Sequence, residues 1–283
     1  MDDGQTWLVV NAASGSNTPE ALANLTSALR AIDRAPGRVI RFPDEALPDP
    51  AKLRAHGVGT VAVFAGDGTI NALVTGLYGW DGAVLVLPGG TMNLLALRLH
   101  GDADAEAIVA RVGAAPVRRK RISVIRSAHG DALGGLLLGP GTAWNDVREA
   151  LRSADIRGVA EHTAAAIGQS TTGPMVVCSA PPLGRPEGYP LVNLTPTAEG
   201  IRVEAYYAAS IADYARQGLA LLRRSFRDGP HDDLELHREL ELSCLYGAPI
   251  ELLVDGEPAE GTTRETFMLA QCEVDLIATR HAD

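Results

Sequence analysis

The chain has 283 residues, 46% of them hydrophobic and 21% charged, enough to bury a sizeable core and unlike a disordered chain. A net charge of −10 argues against a protein that holds nucleic acid by neutralising phosphates, although a few local donors could still hold an anionic ligand. The 3 cysteines, Cys178, Cys244 and Cys272, are odd in number and far apart, which argues against a disulfide framework or a structural zinc site.

The acidic start, MDDGQTWLVVN, runs straight into a strand-like segment and does not read as a signal peptide. No apolar run approaches the ~20 residues of a membrane span. The expected location is therefore the cytoplasm, with any membrane contact peripheral. Residues 6–10 predict a first strand. Thr18, Pro19 and Glu20 then supply a cap, a first-turn proline and an early acid for a helix to about residue 31. A strand at 38–42, a helix at 49–55, a strand at 60–65 and helical spacing at 70–77 follow. A strand at 83–87 precedes helices at about 92–99 and 103–111. Near-continuous apolar strands alternating with helices predict a parallel, Rossmann-like α/β sheet covered on both faces.

The pattern changes near Arg118. Strand candidates lie at 122–125, 133–138, 175–178, 201–207, 234–242, 250–254 and 267–277, interrupted by helical patterns at about 144–166 and 211–226. Two domains are expected: an α/β nucleotide-binding domain at 1–120 and a β-rich, β-sandwich domain at 121–283. A return of the last strand to the first domain is left open.

Three strands of the first domain run into small polar loops: Asn11-Ala-Ala-Ser-Gly15, Gly66-Asp-Gly-Thr69 and Gly89-Gly-Thr91. In a doubly wound sheet all strands deliver their C-terminal ends to one edge, so these loops converge if the sheet order makes them neighbours. Glycines allow close backbone approach, and the helices that follow present N–H groups and a positive dipole end. Those are the parts of a phosphate-binding cleft, and each loop taken alone is also a plain turn. Gly57-Val-Gly-Thr-Val-Ala62 has dinucleotide-type spacing but precedes its strand, and no Walker-type loop is present. Asp67 cannot face a phosphate directly without a cation or donors between them. It either belongs to a metal network, orients a ribose, or caps the next helix.

These residues resemble the diacylglycerol kinase catalytic-domain superfamily, which includes bacterial soluble lipid kinases and sphingosine and ceramide kinases. Asn11-Ala-Ala-Ser-Gly15 is similar to its NPxSG motif, Ala65-Gly-Asp-Gly-Thr-Ile-Asn71 to GGDGTxN and Pro88-Gly-Gly-Thr-Met-Asn93 to PxGTxN. Near the C-terminus Val254-Asp-Gly-Glu-Pro258 is similar to the DGE signature, preceded by a His-containing segment around Gly229-Pro-His231. The resemblance implies transfer of the ATP γ-phosphoryl group to a lipid hydroxyl with Mg²⁺. It implies that Asn11, Ser14, Gly15, Gly66, Asp67, Gly68, Thr69, Asn71, Gly90 and Thr91 hold the nucleotide. Glu257 is then the general base with Asp255 beside it, and Asp67 is a catalytic residue that meets metal largely through the ATP phosphates. Leu94 and Ser123 stand where many members carry aspartates, which makes a nucleotide- or lipid-binding regulator without turnover one alternative. A kinase of a soluble acceptor such as NAD is another.

The expected partner is a lipid substrate at a membrane surface, with no nucleic acid and a homodimer left open. Two basic features stand out in the acidic chain: Arg118-Arg-Lys-Arg121, and Arg216, Arg223, Arg224 and Arg227 on the 211–227 helical pattern. Both suit an interfacial contact, and both suit an ordinary solvated face.

Overall fold

The computed structural model describes residues 4–11, 18–116, 118–140, 173–206 and 231–280. The expected helices at 144–166 and 211–226 lie outside the described residues. The chain divides into two compact units, Met1–Ser123 with Gln271–Asp283, and Val124–Ala270. The first unit begins with β1 (Gln5–Asn11), α1 (Pro19–Ala31), β2 (Pro36–Phe42), α2 (Pro50–Ala55) and β3 (Val58–Ala65). It continues with α3 (Asp67–Gly76), β4 (Ala83–Pro88), α4 (Leu94–His100), α5 (Ala105–Ala114) and β5 (Arg118–Lys120).

The second unit contributes β6 (Ser123–Ser127), β7 (Gly130–Ala132), β8 (Leu136–Leu138), β9 (Val176–Ala180), β10 (Pro182–Leu183) and β11 (Leu191–Pro196). It is completed by β12 (Ile201–Tyr206), β13 (His231–His237), β14 (Glu239–Cys244), β15 (Glu251–Val254), β16 (Glu257–Glu260) and β17 (Arg264–Gln271). The chain then returns to the first unit as β18 (Asp275–Ala278).

The sheet of the first unit has the order β2-β1-β3-β4-β18-β5. Its strands are parallel except β5, which runs antiparallel to β18 at the edge. Leu8, Val10, Ala62, Phe64, Leu85 and Leu87 pack with Leu25 and Leu29 of α1 and Ile108 and Val109 of α5 in one core cluster. The alternate residues Trp7, Val9, Val61, Val63, Val84 and Val86 are buried as well. By strand alternation they face the other side, where α2 and α3 pack on β3 and α4 packs on β4. Fully burying one such aliphatic side chain contributes about 1.5–3 kcal/mol, so two covered faces outweigh local propensity in fixing these strands. The helices start where the chain offers caps. Thr18 Oγ1 accepts from Ala21 N–H (3.1 Å), Asp49 Oδ1 from Lys52 N–H (2.8 Å) and Asp104 Oδ1 from Ala107 N–H (2.7 Å).

The second unit is a β-sandwich of two six-stranded sheets, β10-β9-β14-β17-β6-β7 and β13-β12-β11-β8-β15-β16. Ile125, Val176, Leu240, Leu242 and Phe267 of the first sheet share one buried cluster with Leu136, Leu138, Leu194, Val203 and Leu252 of the second.

Several elements differ from expectation. The run at 267–277 is two strands, β17 and β18, separated by a turn and placed in different sheets. The run at 234–242 likewise splits at Arg238 into β13 and β14, which also lie in different sheets. Strand β11 and the short strands β5, β7, β10 and β16 had no clear apolar signal. Helix α3 starts at Asp67, three residues before the helical spacing begins, because glycine and aspartate carry no apolar periodicity. Helix α4 starts at Leu94 because Asn93 is left-handed (φ 51°) and cannot continue a helix.

Candidate active site

Strands β1, β3 and β4 are neighbours, so their C-terminal ends lie side by side at one edge of the parallel sheet. Asn11 ends β1, and its Nδ2 donates to Thr69 Oγ1 at 2.9 Å, tying the end of β1 to α3. Ser14 and Gly15 lie outside the described residues. The second and third loops touch through backbone. Gly89 N–H donates to the Ala65 carbonyl (3.1 Å). A Cβ on Gly89 would lie 2.6 Å from the Ala65 nitrogen, and one on Gly90 would lie 2.6 Å from the Gly66 Cα. Glycine is required at both positions by this approach alone.

Asn93 and Asp67 divide the capping of α4 between them. The N-cap residue Asn93 turns its side chain back on Gly90, accepting from Gly90 N–H at 2.8 Å and donating to the Gly90 carbonyl at 2.9 Å. This closes the Gly90-Thr91-Met92 loop into a ring and leaves the start of α4 without a cap from its own side chain. Asp67 supplies it from the neighbouring loop. Its Oδ2 accepts from Asn93 N–H at 2.8 Å and its Oδ1 from Leu94 N–H at 2.7 Å. A carboxylate at a helix N-terminus answers both the unbonded N–H groups and the dipole. Asp67 therefore links the first turn of α3 to the first turn of α4, and Gly66 starts α3 without any side-chain cap. A phosphate resting on these loops would meet glycine backbone and the N-terminal turn of α3. Thr69 is buried, Asn71 is half-buried one turn into α3, and Thr91 is exposed on its loop.

The far end of α4 is held as firmly. His100 is buried, its Nδ1 lies 3.0 Å from Thr279 Oγ1, and Arg111 Nη1 donates to the His100 carbonyl at 2.9 Å. Burial pushes the imidazole pKa down to about 4, so the ring is neutral at pH 7. Leu94 contributes its N–H to Asp67, while Ser123 offers its carbonyl to Arg98 Nη1 at 2.7 Å.

The described residues around Asp67 do not by themselves make a magnesium site. Among the described residues no group of three or more His, Cys, Asp or Glu side chains is placed to hold a metal ion, and each Asp67 oxygen already accepts a backbone N–H.

In the second unit Val254-Asp255-Gly256-Glu257 joins β15 to β16 as a two-residue hairpin with left-handed central residues, φ 50° at Asp255 and 87° at Gly256. This is the Asp-Gly signature of a type I′ turn. Asp255 is 5% exposed. Its Oδ2 accepts from Leu133 N–H (2.9 Å), and its Oδ1 from Gly134 (2.7 Å) and Gly135 (3.0 Å). Asp255 N–H in turn donates to the Gly135 carbonyl at 3.0 Å. Glu257 is exposed at the start of β16, and among the described residues no hydrogen bond or ion pair engages its carboxylate. His231 begins β13, its ring 5.2 Å from that of Tyr206 and its Nε2 4.0 Å from Glu204.

The roles of Asn93 and of the Leu133-Gly134-Gly135 backbone were missed from sequence. The glycine pair at 134–135 was the available signal. Of the two basic features, Arg118-Arg-Lys-Arg121 is exposed in and after β5, with Arg121 Nε bonded to Asp275 at 2.9 Å. The arginines of the 211–227 pattern lie outside the described residues. No described helix is long and apolar enough to cross a membrane.

Residues 5–125 match the family model of the diacylglycerol kinase catalytic domain. Two solved structures of a candidate diacylglycerol kinase of Bacillus anthracis str. Sterne resemble the chain with TM-scores of 0.59 and 0.60, both at 15% identity. A third, of a diacylglycerol kinase from the same organism, has a TM-score of 0.57 at 16% identity. Each alignment covers 97% of this chain and 96% of the other, and at such identity it shows a shared fold. No curated protein matches the chain in sequence.

Proposed function

We propose that the protein is an ATP- and Mg²⁺-dependent lipid kinase acting at a membrane surface, a reading supported by the match of residues 5–125 to the family model of the diacylglycerol kinase catalytic domain. The observation that carries this reading is the tie between the strand ends, Asn11 of β1 to Thr69 of α3 and Asp67 to the amides of Asn93 and Leu94 beside the third glycine loop. That arrangement offers the nucleotide's phosphates pre-set backbone and hydroxyl donors, and phosphoryl transfer depends chiefly on such positioning. Glu257, whose carboxylate is exposed and unengaged, takes the proton of the lipid hydroxyl. The acceptor oxygen then bonds to the γ-phosphorus, the bond from that phosphorus to the bridging oxygen breaks, and ADP leaves. In this reading magnesium arrives on the nucleotide's phosphates, because the described side chains offer it no cage. The acceptor is a diacylglycerol or a sphingoid-type lipid.

The test is transfer of labelled γ-phosphate from ATP to diacylglycerols, monoacylglycerols, sphingoid bases and ceramides in mixed micelles, with NAD⁺ as a soluble acceptor. Labelling of one lipid class supports the proposal, and labelling of NAD⁺ alone overturns it. ATP binding without any product supports a regulator without turnover, a second reading favoured by Leu94 and Ser123 standing where many family members carry aspartates.

A further inference from the structure

We infer that Asp255 is a positioning residue: its buried carboxylate grips three consecutive backbone N–H groups and thereby fixes the hairpin that carries Glu257, handling neither proton nor metal itself. The inference rests on the reading of Glu257 as the base.

The grip is geometrically complete. Leu133, Gly134 and Gly135 all donate to the Asp255 carboxylate, and the Asp255 N–H returns a bond to the Gly135 carbonyl. Three amides converging on one carboxylate form an anion nest whose anion is supplied by the chain itself. The approach needs the glycines: Gly135 has φ 154°, and a Cβ there would lie 2.7 Å from the Leu194 carbonyl oxygen. The other side of the grip is the turn. Asp255 sits in the left-handed region, which aspartate tolerates better than most residues, and Gly256 follows it. The nest and the turn together set the backbone from which Glu257 projects two residues later. Asp255 is nearly solvent-inaccessible with its oxygens engaged, whereas Glu257 is exposed and unengaged among the described residues, so of the two acids Glu257 is the one placed to receive a proton from an incoming hydroxyl.

Two substitutions separate the roles. Asp255→Asn keeps a residue suited to the turn but aims an N–H₂ group at backbone N–H donors. Asp255→Gly also keeps the turn and removes the grip altogether. On the full chain, both are expected to raise hydrogen exchange at Leu133, Gly134 and Gly135 and across the 254–257 hairpin. Both are expected to lower kcat by about 10–100-fold while leaving KM for ATP and the Mg²⁺ dependence unchanged, as for a misplaced catalytic group. Adding either change to Glu257→Gln is expected to cost little more than Glu257→Gln alone.

Unchanged exchange in both variants overturns the inference whatever the activity. So does a shifted Mg²⁺ dependence, or losses that multiply with Glu257→Gln. If Asp255→Asn loosens the hairpin but Glu257→Gln remains fully active, the base assignment fails while the grip stands. If the wild type phosphorylates no acceptor, exchange alone decides the grip.

Discussion

The two units use an aspartate in the same way at opposite ends of the sequence. In the first, Asp67 reaches 26 residues along the chain to the amides of Asn93 and Leu94. In the second, Asp255 reaches back 122 residues to Leu133 and its two neighbours. Asp67 opens α3 between Gly66 and Gly68, Asp255 precedes Gly256 in its hairpin, and each bonds backbone N–H groups distant in sequence. The difference lies in what the clamp holds. Asp67 ties together loops that are themselves the proposed phosphate cradle, so its carboxylate is part of the site's frame. Asp255 holds a hairpin whose working group is a different residue, Glu257. An acid in a motif can thus be an architectural group, and the exposed, unengaged neighbour is the better candidate for chemistry.

The largest effect that would break this division is on Glu257. Glu257→Gln is expected to lower turnover about 10³-fold with little change in thermal midpoint, because the side chain is exposed and holds nothing in place. Steady-state kinetics beside a melting curve check it. Retained turnover would move the chemistry elsewhere and end the contrast between the two acids.

The next effect concerns the first unit alone. Helix α4 is held at its start by Asp67 and at its end by buried His100. The folded-state pKa of His100, about 4, lies below its ordinary 6.5, so the unfolded chain binds the proton first. The stability this contributes is present above pH 6.5 and is lost as pH falls from 6.5 towards 4. It amounts to about 3 kcal/mol. Urea unfolding at pH 7 and 4.5 should show that loss, reduced in His100→Gln. An equal loss in the variant would remove His100 from the account.

Asp67→Ala should cost about 2 kcal/mol of stability by leaving the amides at the start of α4 without their acceptor. It should also weaken ATP binding, which calorimetry can read. If stability falls and ATP affinity does not, the frame around Asp67 is separable from nucleotide binding.

Much of this was legible in the residues. The alternation of apolar strands with helices gave the parallel sheet, and Thr18-Pro19 and Asp49-Pro50 gave helix starts to within a residue. The glycine loops were visible because turns that tight leave few other choices. The rest depends on contacts distant in sequence. Nothing near Asp67 or Asp255 reveals that their partners are backbone amides, because an amide belongs to every residue and leaves no compositional trace. Strand β18 was merged with β17 because an apolar run does not record which sheet it joins. Strand β11 (LVNLTP) was missed because Asn193 and the terminal Pro196 dilute its pattern.

A cap that acts only within its own helix should matter least. Thr18 caps its own helix, accepting from Ala21 N–H at 3.1 Å on an exposed surface. Thr18→Ala should cost about 1 kcal/mol. The loss should appear in urea unfolding and leave ATP affinity unchanged, because α1 ends this cap within its own first turn. Asp67 makes the same kind of bond, but to a helix that follows the next strand, β4, and through it to a second glycine loop. If both substitutions cost stability but only Asp67→Ala weakens ATP binding, what distinguishes a site aspartate is how far its cap reaches. If Thr18→Ala weakens ATP binding as well, the loop between β1 and α1 depends on the start of α1, and the frame extends to a third helix.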